Sequence, residues 1–246
     1  DVGTGITVTV RATDSEGNYD DVSDTIDVVV PTTDPHFSNV VLLLHCEGTP
    51  GTPTYTDTIP GNTWSHNGTQ PVLSDARSRD GTCSLRFNSR GAIQSNNGAL
   101  FNWPSKGTLE GSVYIDDLDV YPPNNRILIT KDGNSGGNVV FEAYVDGNKR
   151  FVFYHTSNGA QYDYWALLTS PNGSVVAGQW YDWCVERDEE TWRLYLQGNL
   201  IQTITASGTA FTNNYGLVIG FKASYTTRHI NGNVDKYRWT HNVARY

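Results

Sequence analysis

Three groups of residues have types and spacing that could do chemistry. The first is aromatic: Tyr154, His155, Tyr162, Tyr164 and Trp165, drawn from two successive strand-like segments. Aromatic rings stack on the apolar faces of sugars while amides and acids bond the hydroxyls, so these five form the candidate glycan-binding set. The second is the polar side of a hairpin, Asp182, Glu186, Arg193 and Tyr195, which could contribute to such a site. The third is acidic: Asp116-Asp117-x-Asp119 and Asp188-Glu189-Glu190. Retaining hydrolysis of a glycosidic bond needs two carboxyl groups about 5–5.5 Å apart on a rigid element. The first acidic run ends a strand before Pro122-Pro123 and the second sits in a turn, so both read as solvated turn acids. There is no Gly-x-Ser-x-Gly elbow, Ser/His/Asp set or phosphate-cradling glycine loop, and the expectation is a protein that is not an enzyme.

The elements that must position these residues are strands. Thr, Gly, Asn, Val and Tyr abound, and apolar residues recur with period 2 rather than 3.6, which predicts an all-β fold. The clearest case is residues 178–201. Trp183, Val185 and Arg187 alternate with Asp182, Cys184 and Glu186; after the turn, Trp192, Leu194 and Leu196 alternate with Arg193 and Tyr195. Gln197-Gly198-Asn199 makes a second tight turn. Asn39 to Gly48 is a continuous apolar run that predicts a strand buried on both faces, and residues 49–71, with four prolines, a long polar loop. Further strands are expected at 108–115, 127–131, 139–145, 150–155, 162–168, 216–220 and from 232 onward.

The 246 residues are enough for one β-domain plus a smaller piece, and a chain this size buries roughly 70–75% of its unfolded surface without staples. The net charge of -9 opposes a phosphate backbone, which excludes nucleic acid as the expected partner. No run of 18 apolar residues exists, so no membrane insertion is expected. Cys46, Cys83 and Cys184 are odd in number, lack metal spacing and lie in apolar runs, so they read as buried small hydrophobes. Asn67-Gly-Thr69 and Asn172-Gly-Ser174 are formal glycosylation sequons but read as Asn-Gly turns. The absence of methionine predicts a mature product or a segment of something longer.

Residues 1–31 contain strand, turn and strand, with Ile26, Val28 and Val30 marking the second strand and Ala12 to Asn18 the turn. This resembles the last hairpin of an Ig-like (cadherin-like) domain, so 1–31 is expected to be a partial Ig-like domain and 32–38 a proline-bearing linker. Residues 39–246 resemble the laminin G-like, concanavalin A-like jelly rolls found in phage virion proteins. The resemblance rests on His45-Cys46-Glu47-Gly48 closing the first strand and on Phe87-Asn88. It rests also on Trp180, Trp183-Cys184-Val185, Arg187-Asp188 and Leu194 to Gly198 in the hairpin. Its most specific part is the ending, with Val234, Asp235, Tyr237 to Thr240 and Val243-Ala-Arg-Tyr246. Gln197 stands where such domains often have Asp.

The resemblance implies a two-sheet antiparallel jelly-roll sandwich. It implies a non-enzymatic virion surface or structural protein of a bacteriophage, in a head decoration, head fibre or tail adhesin. Its partners would be neighbouring virion proteins or host surface glycans, and a homo-oligomer is compatible with that role. The alternative is a carbohydrate-binding module or adhesin of a secreted bacterial protein. Glycosidases of this fold space their acids as Glu-x-Asp-x-x-Glu on one strand, and that spacing is not found here. Jelly rolls of this kind often hold one calcium ion where the first and last strands meet, which implies Glu47 and Asp235 as its ligands.

Overall fold

The structure is a computed structural model. It describes residues 6–13, 19–26, 34–88, 90–118, 125–133, 138–161, 163–221 and 228–246. The chain divides into two compact units, Asp1–Ser38 and Asn39–Tyr246. In the first, β1 (Ile6–Thr13) pairs antiparallel with β2 (Tyr19–Ile26), from Thr13 opposite Tyr19 to Ile6 opposite Ile26. The second strand therefore begins earlier than its Ile-Val-Val alternation predicts, and Val28 and Val30 lie outside the described residues.

The second unit is an antiparallel sandwich, as its period-2 patterning requires. One sheet has seven strands: β12 (Ala166–Thr169), β11 (Phe151–His155), β10 (Phe141–Val145), β9 (Arg126–Lys131), β16 (Leu217–Ile219), β7 (Ala92–Ser95) and β4 (Trp64–Asn67). The other has eight: β15 (Asn199–Thr205), β14 (Thr191–Leu196), β13 (Trp180–Asp188), β8 (Lys106–Ile115), β17 (Gly232–His241), β6 (Ser84–Phe87) and β5 (Val72–Ser74), with β3 (Val40–Leu44) pairing alongside β17. Between them lies an aromatic core. Trp103, from the segment before β8, packs 5.1 Å from both Trp192 and Trp239, and 5.7 Å from Phe153. Burying side chains of this size contributes on the order of 2–3 kcal/mol each.

Three expectations are corrected by strand position. β3 alternates buried and half-buried residues instead of being enclosed on both faces, because only Val40, Leu42 and Leu44 turn into the core. The proline-rich stretch before Pro71 contains β4, an edge strand paired with β7; edge strands tolerate the prolines that flank it. The strand expected at 162–168 starts only at Ala166, so Tyr164 and Trp165 precede it. No helix among the described residues is long and apolar enough to cross a membrane.

Candidate functional site: a transverse groove on the eight-stranded sheet

The central hairpin forms with the expected alternation. Trp183, Val185, Trp192, Leu194 and Leu196 are buried in the core. Asp182, Cys184 and Glu186 point to the opposite, outer face, together with Arg193 and Tyr195. That face is not simply wet: Glu186 is 0% exposed and Cys184 7%.

The cross-strand registers place five outer-face residues in one row. Cys184 lies opposite Tyr195 on one side and Glu110 on the other; Glu110 lies opposite Arg238, and Arg238 opposite Leu43. All five line a groove of about 550 Å³ that runs across the strands from β14 to β3. Five strands about 4.8 Å apart make this row about 19 Å long. A bulge in β17 makes the row possible. Asp235 faces Ser112 and Arg238 faces Glu110, so three steps of β17 match two of β8, with Lys236 at φ 52 between them. Strict alternation would turn Asp235 and Arg238 to opposite faces; the bulge brings both outward and sends Tyr237 into the core.

Each long side of the groove has a wall. On one side the Arg79 main-chain N–H donates to Asp235 Oδ2 at 3.1 Å, while its guanidinium reaches across β8 to β13. There Nε and Nη2 donate to the Asp182 carboxylate at 3.0 and 2.6 Å. Ser112 Oγ donates to Asp182 Oδ1 at 2.6 Å, and Lys236 pairs with Asp80 beside them. The Arg79 guanidinium holds the Asp182 carboxyl below its usual range. Burial pushes Asp235 up to about 6.

On the other side runs the segment Val243–Tyr246. Thr108 Oγ1 donates to the Val243 carbonyl at 3.1 Å, and the Tyr246 N–H donates to Glu186 Oε2 at 2.7 Å. Arg193 Nη1 donates to Glu186 Oε1 at 2.7 Å. The Arg245 guanidinium pairs with Glu110, whose second oxygen accepts from Tyr246 Oη at 2.8 Å. The Tyr246 ring, 61% exposed, lies 5.6 Å from the Tyr195 ring.

A profile of the concanavalin A-like lectin/glucanases superfamily, of the laminin G type, matches residues 87–244. The chain belongs to this superfamily. Solved structures agree in fold. The receptor-binding domain of botulinum neurotoxin type G is 14% identical with a TM-score of 0.57, and covers 85% of this chain and 49% of its own. The binding domain of Paraclostridial Mosquitocidal Protein 1 is 13% identical at TM-score 0.63, covering 85% and 50%. This laminin G-like chain therefore spans about half the length of those toxin domains. Domain 4 of a GH43 extracellular arabinanase from Geobacillus stearothermophilus is 14% identical at TM-score 0.55, covering 77% of this chain and 87% of its own. No curated protein sequence matches.

Within this laminin G-like domain the aromatic set read from the sequence does not make one platform. β11 and β12 do pair, and the Tyr154 and Tyr164 rings lie 5.1 Å apart, the His155 and Trp165 rings 5.7 Å. But Tyr154 and His155 are adjacent on a strand and so point to opposite faces. Tyr154 is 1% exposed in a small apolar cluster and His155 0% exposed against Phe141 and Trp192, so neither ring can meet a sugar. Tyr164 is exposed, and Trp165 is tied down by its Nε1–H to the Ser207 carbonyl at 2.7 Å. Tyr162 lies outside the described residues.

Of the acidic runs, Asp188 and Glu189 pair with Lys106 and Asp116 pairs with Arg77 and Arg86, while Asp119 lies outside the described residues. All three cysteines are free and buried. Gly68 and Gly173 adopt φ of 73, as Asn-Gly turns require.

Glu47 and Asp235 are drawn to one corner by the loop at 79–82. Thr82 donates to Glu47 from Oγ1 at 2.7 Å and from its main-chain N–H at 3.1 Å, while Arg79 and Asp80 donate to Asp235. Asp235 Oδ1 is buried without a hydrogen-bond partner, which suits a hard cation. Among the described residues no group of three or more His, Cys, Asp or Glu side chains is arranged to hold a metal, so any ion there would need main-chain carbonyls too.

Sequence reading found Asp182, Glu186, Arg193 and Tyr195 through their alternation. It missed Arg79, Glu110, Arg238 and Tyr246, which come from a loop, two other strands and a terminal segment. The dense charges of Asp75 to Asp80 were the available signal for the loop.

Proposed function

We propose that this chain is a glycan-binding module without hydrolytic activity, and that the transverse groove is its site. The observation that carries this is the row itself. The Tyr195 ring stands at one end, and carboxylate, guanidinium and ammonium groups line the rest over a floor of Leu43, Gly111 and Cys184. Rings and apolar floor suit the C–H faces of sugars, and the charged groups suit their hydroxyls. Two structural relatives support the reading: the arabinanase domain was solved in complex with arabinotriose, and cell entry of botulinum neurotoxin type C depends on interaction with two ganglioside molecules. The outer-face acids support binding over hydrolysis, since Asp182, Glu186 and Glu110 are each engaged by an arginine.

The test is a glycan microarray, with Tyr195→Ala and Asp182→Ala as variants, alongside an assay for reducing-sugar release from whatever is bound. Specific signal lost in both variants, with no release, supports the proposal. A blank array, or release of sugar, removes it.

A calcium ion held by Glu47 and Asp235 belongs to the same proposal. It would neutralise the buried Asp235 and fix the loop at 79–82, and so the Arg79 wall. The finer assignment, a bacteriophage virion surface module, is supported by the resemblance of the closing segment through Val243-Ala-Arg-Tyr246. Immunogold label on purified virions would support it; label confined to bacterial culture supernatant would favour a secreted adhesin or carbohydrate-binding module.

A further inference from the structure

The two walls carry information about the ligand beyond its chemical class. Asp182 anchors one and Glu186 the other, four residues apart on the same strand. At about 3.3 Å per residue the anchors are about 13 Å apart, and the Arg79 guanidinium and the Tyr246 main chain and ring occupy part of that span. What remains over β13 and β8, where both walls stand, is one side-chain row wide, and the groove extends across the strands to Tyr195 and Leu43.

We infer that the groove accepts an unbranched glycan segment lying across the strands, and that Arg79 and Tyr246 exclude branches by walling its two sides. This rests on the glycan-binding reading above. The geometry gives each wall a separate role. The Arg79 arm is tethered at both ends, to Asp235 through its main chain and to Asp182 through its side chain. The Tyr246 wall is tethered by its N–H to Glu186 and by its hydroxyl to Glu110, and presents its ring to Tyr195. A substituent projecting sideways from a sugar over β13 and β8 meets one of these. Specificity of this kind comes from a built clash rather than an added contact.

The test uses the full chain on a microarray of matched linear and side-chain-branched arabinan, xylan and β-glucan oligosaccharides, followed by calorimetric titration of the best linear probe and its branched partner. The expected result is binding of the linear probe with the branched partner at least about tenfold weaker, a difference that Tyr246→Ala or Arg79→Ala narrows to within about threefold. Thermal melts of both variants check that the fold is retained; Tyr246 is exposed and Arg79 sits at the surface, so neither substitution opens the core. Equal binding of linear and branched probes by the unaltered chain overturns the inference while the glycan reading stands. So does an unchanged ratio in both variants. A blank array overturns the glycan reading, and this inference with it.

Discussion

Glu186 is the acid on which the Tyr246 wall depends, and its environment allows a worked prediction. Its side chain is 0% exposed and takes two hydrogen bonds, from Arg193 Nη1 and the Tyr246 N–H, both at 2.7 Å. Removing one partner of a fully buried ion pair costs about 3–5 kcal/mol, and a hydrogen bond to a charged group contributes about 1.5–3 kcal/mol. The Arg193 side chain retains 27% exposure, so water recovers part of its solvation and the lower end applies. Glu186→Gln keeps the shape but turns an NH₂ group toward one of two donors, and is expected to cost about 2 kcal/mol. Arg193→Met keeps the apolar stem but leaves the buried carboxylate with the main-chain N–H alone, and is expected to cost about 3 kcal/mol. In a domain this size each kcal/mol moves the melting temperature by about 2–4 °C, so the single variants should melt roughly 4–12 °C lower. The double variant should lose less than the sum, with a coupling of at least about 1 kcal/mol. Calorimetric melts of the four proteins at one pH supply the cycle. Additivity within about 0.5 kcal/mol would refute the reasoning, because it would mean that the pair contributes nothing beyond its separate packing.

Gly98→Ala would place a Cβ 1.9 Å from the Asn214 carbonyl oxygen and 2.5 Å from that of Tyr215; with only main chain to move, it should destabilise by about 3 kcal/mol or express poorly, and a normal melt would contradict the close approach. Burial lowers His155 to about 3. Its folded value lies below its ordinary 6.5, so this stabilisation is present above pH 6.5 and is lost as pH falls toward 3, by about 2 kcal/mol at pH 5. Asp235, raised by burial to about 6, works in the opposite direction over part of that range, so the informative quantity is the pH dependence of the difference between the unaltered chain and His155→Gln; a flat difference from pH 7 to 5 would exclude a buried neutral imidazole. Chelator should lower the melting temperature if calcium is bound at Glu47 and Asp235, and Asp235→Asn should abolish that response; identical melts with and without chelator would remove the ion from the proposal.

The sheet faces were legible in the sequence. Trp183, Val185, Trp192 and Leu194 alternate with polar neighbours, and burying them on one side fixes which residues reach the other. The acids at 116–117 and 188–190 read as turn acids, and the structure ties Asp116 to Arg77 and Arg86 and both Asp188 and Glu189 to Lys106. The apolar segments around Tyr154 and Tyr164 were correctly read as successive neighbours, but alternation also meant that Tyr154 and His155 could never share a surface. Composition could not show that both would be enclosed, because that depends on what packs over each face.

What period and propensity determined, then, was an all-β sandwich and the outward set Asp182, Glu186, Arg193 and Tyr195. Tertiary structure alone decided the groove. Its row joins β14, β13, β8, β17 and β3, strands from distant parts of the chain whose register is set by pairing. Asp235 and Arg238 share a face only because a bulge adds a residue between them, a local choice that alternation does not encode. The walls come from Arg79 and Tyr246, whose segments have no periodicity to read. They are held in place by Asp182, Glu110 and Glu186, of which Glu186 is fully and Glu110 largely withdrawn from water and so in need of partners.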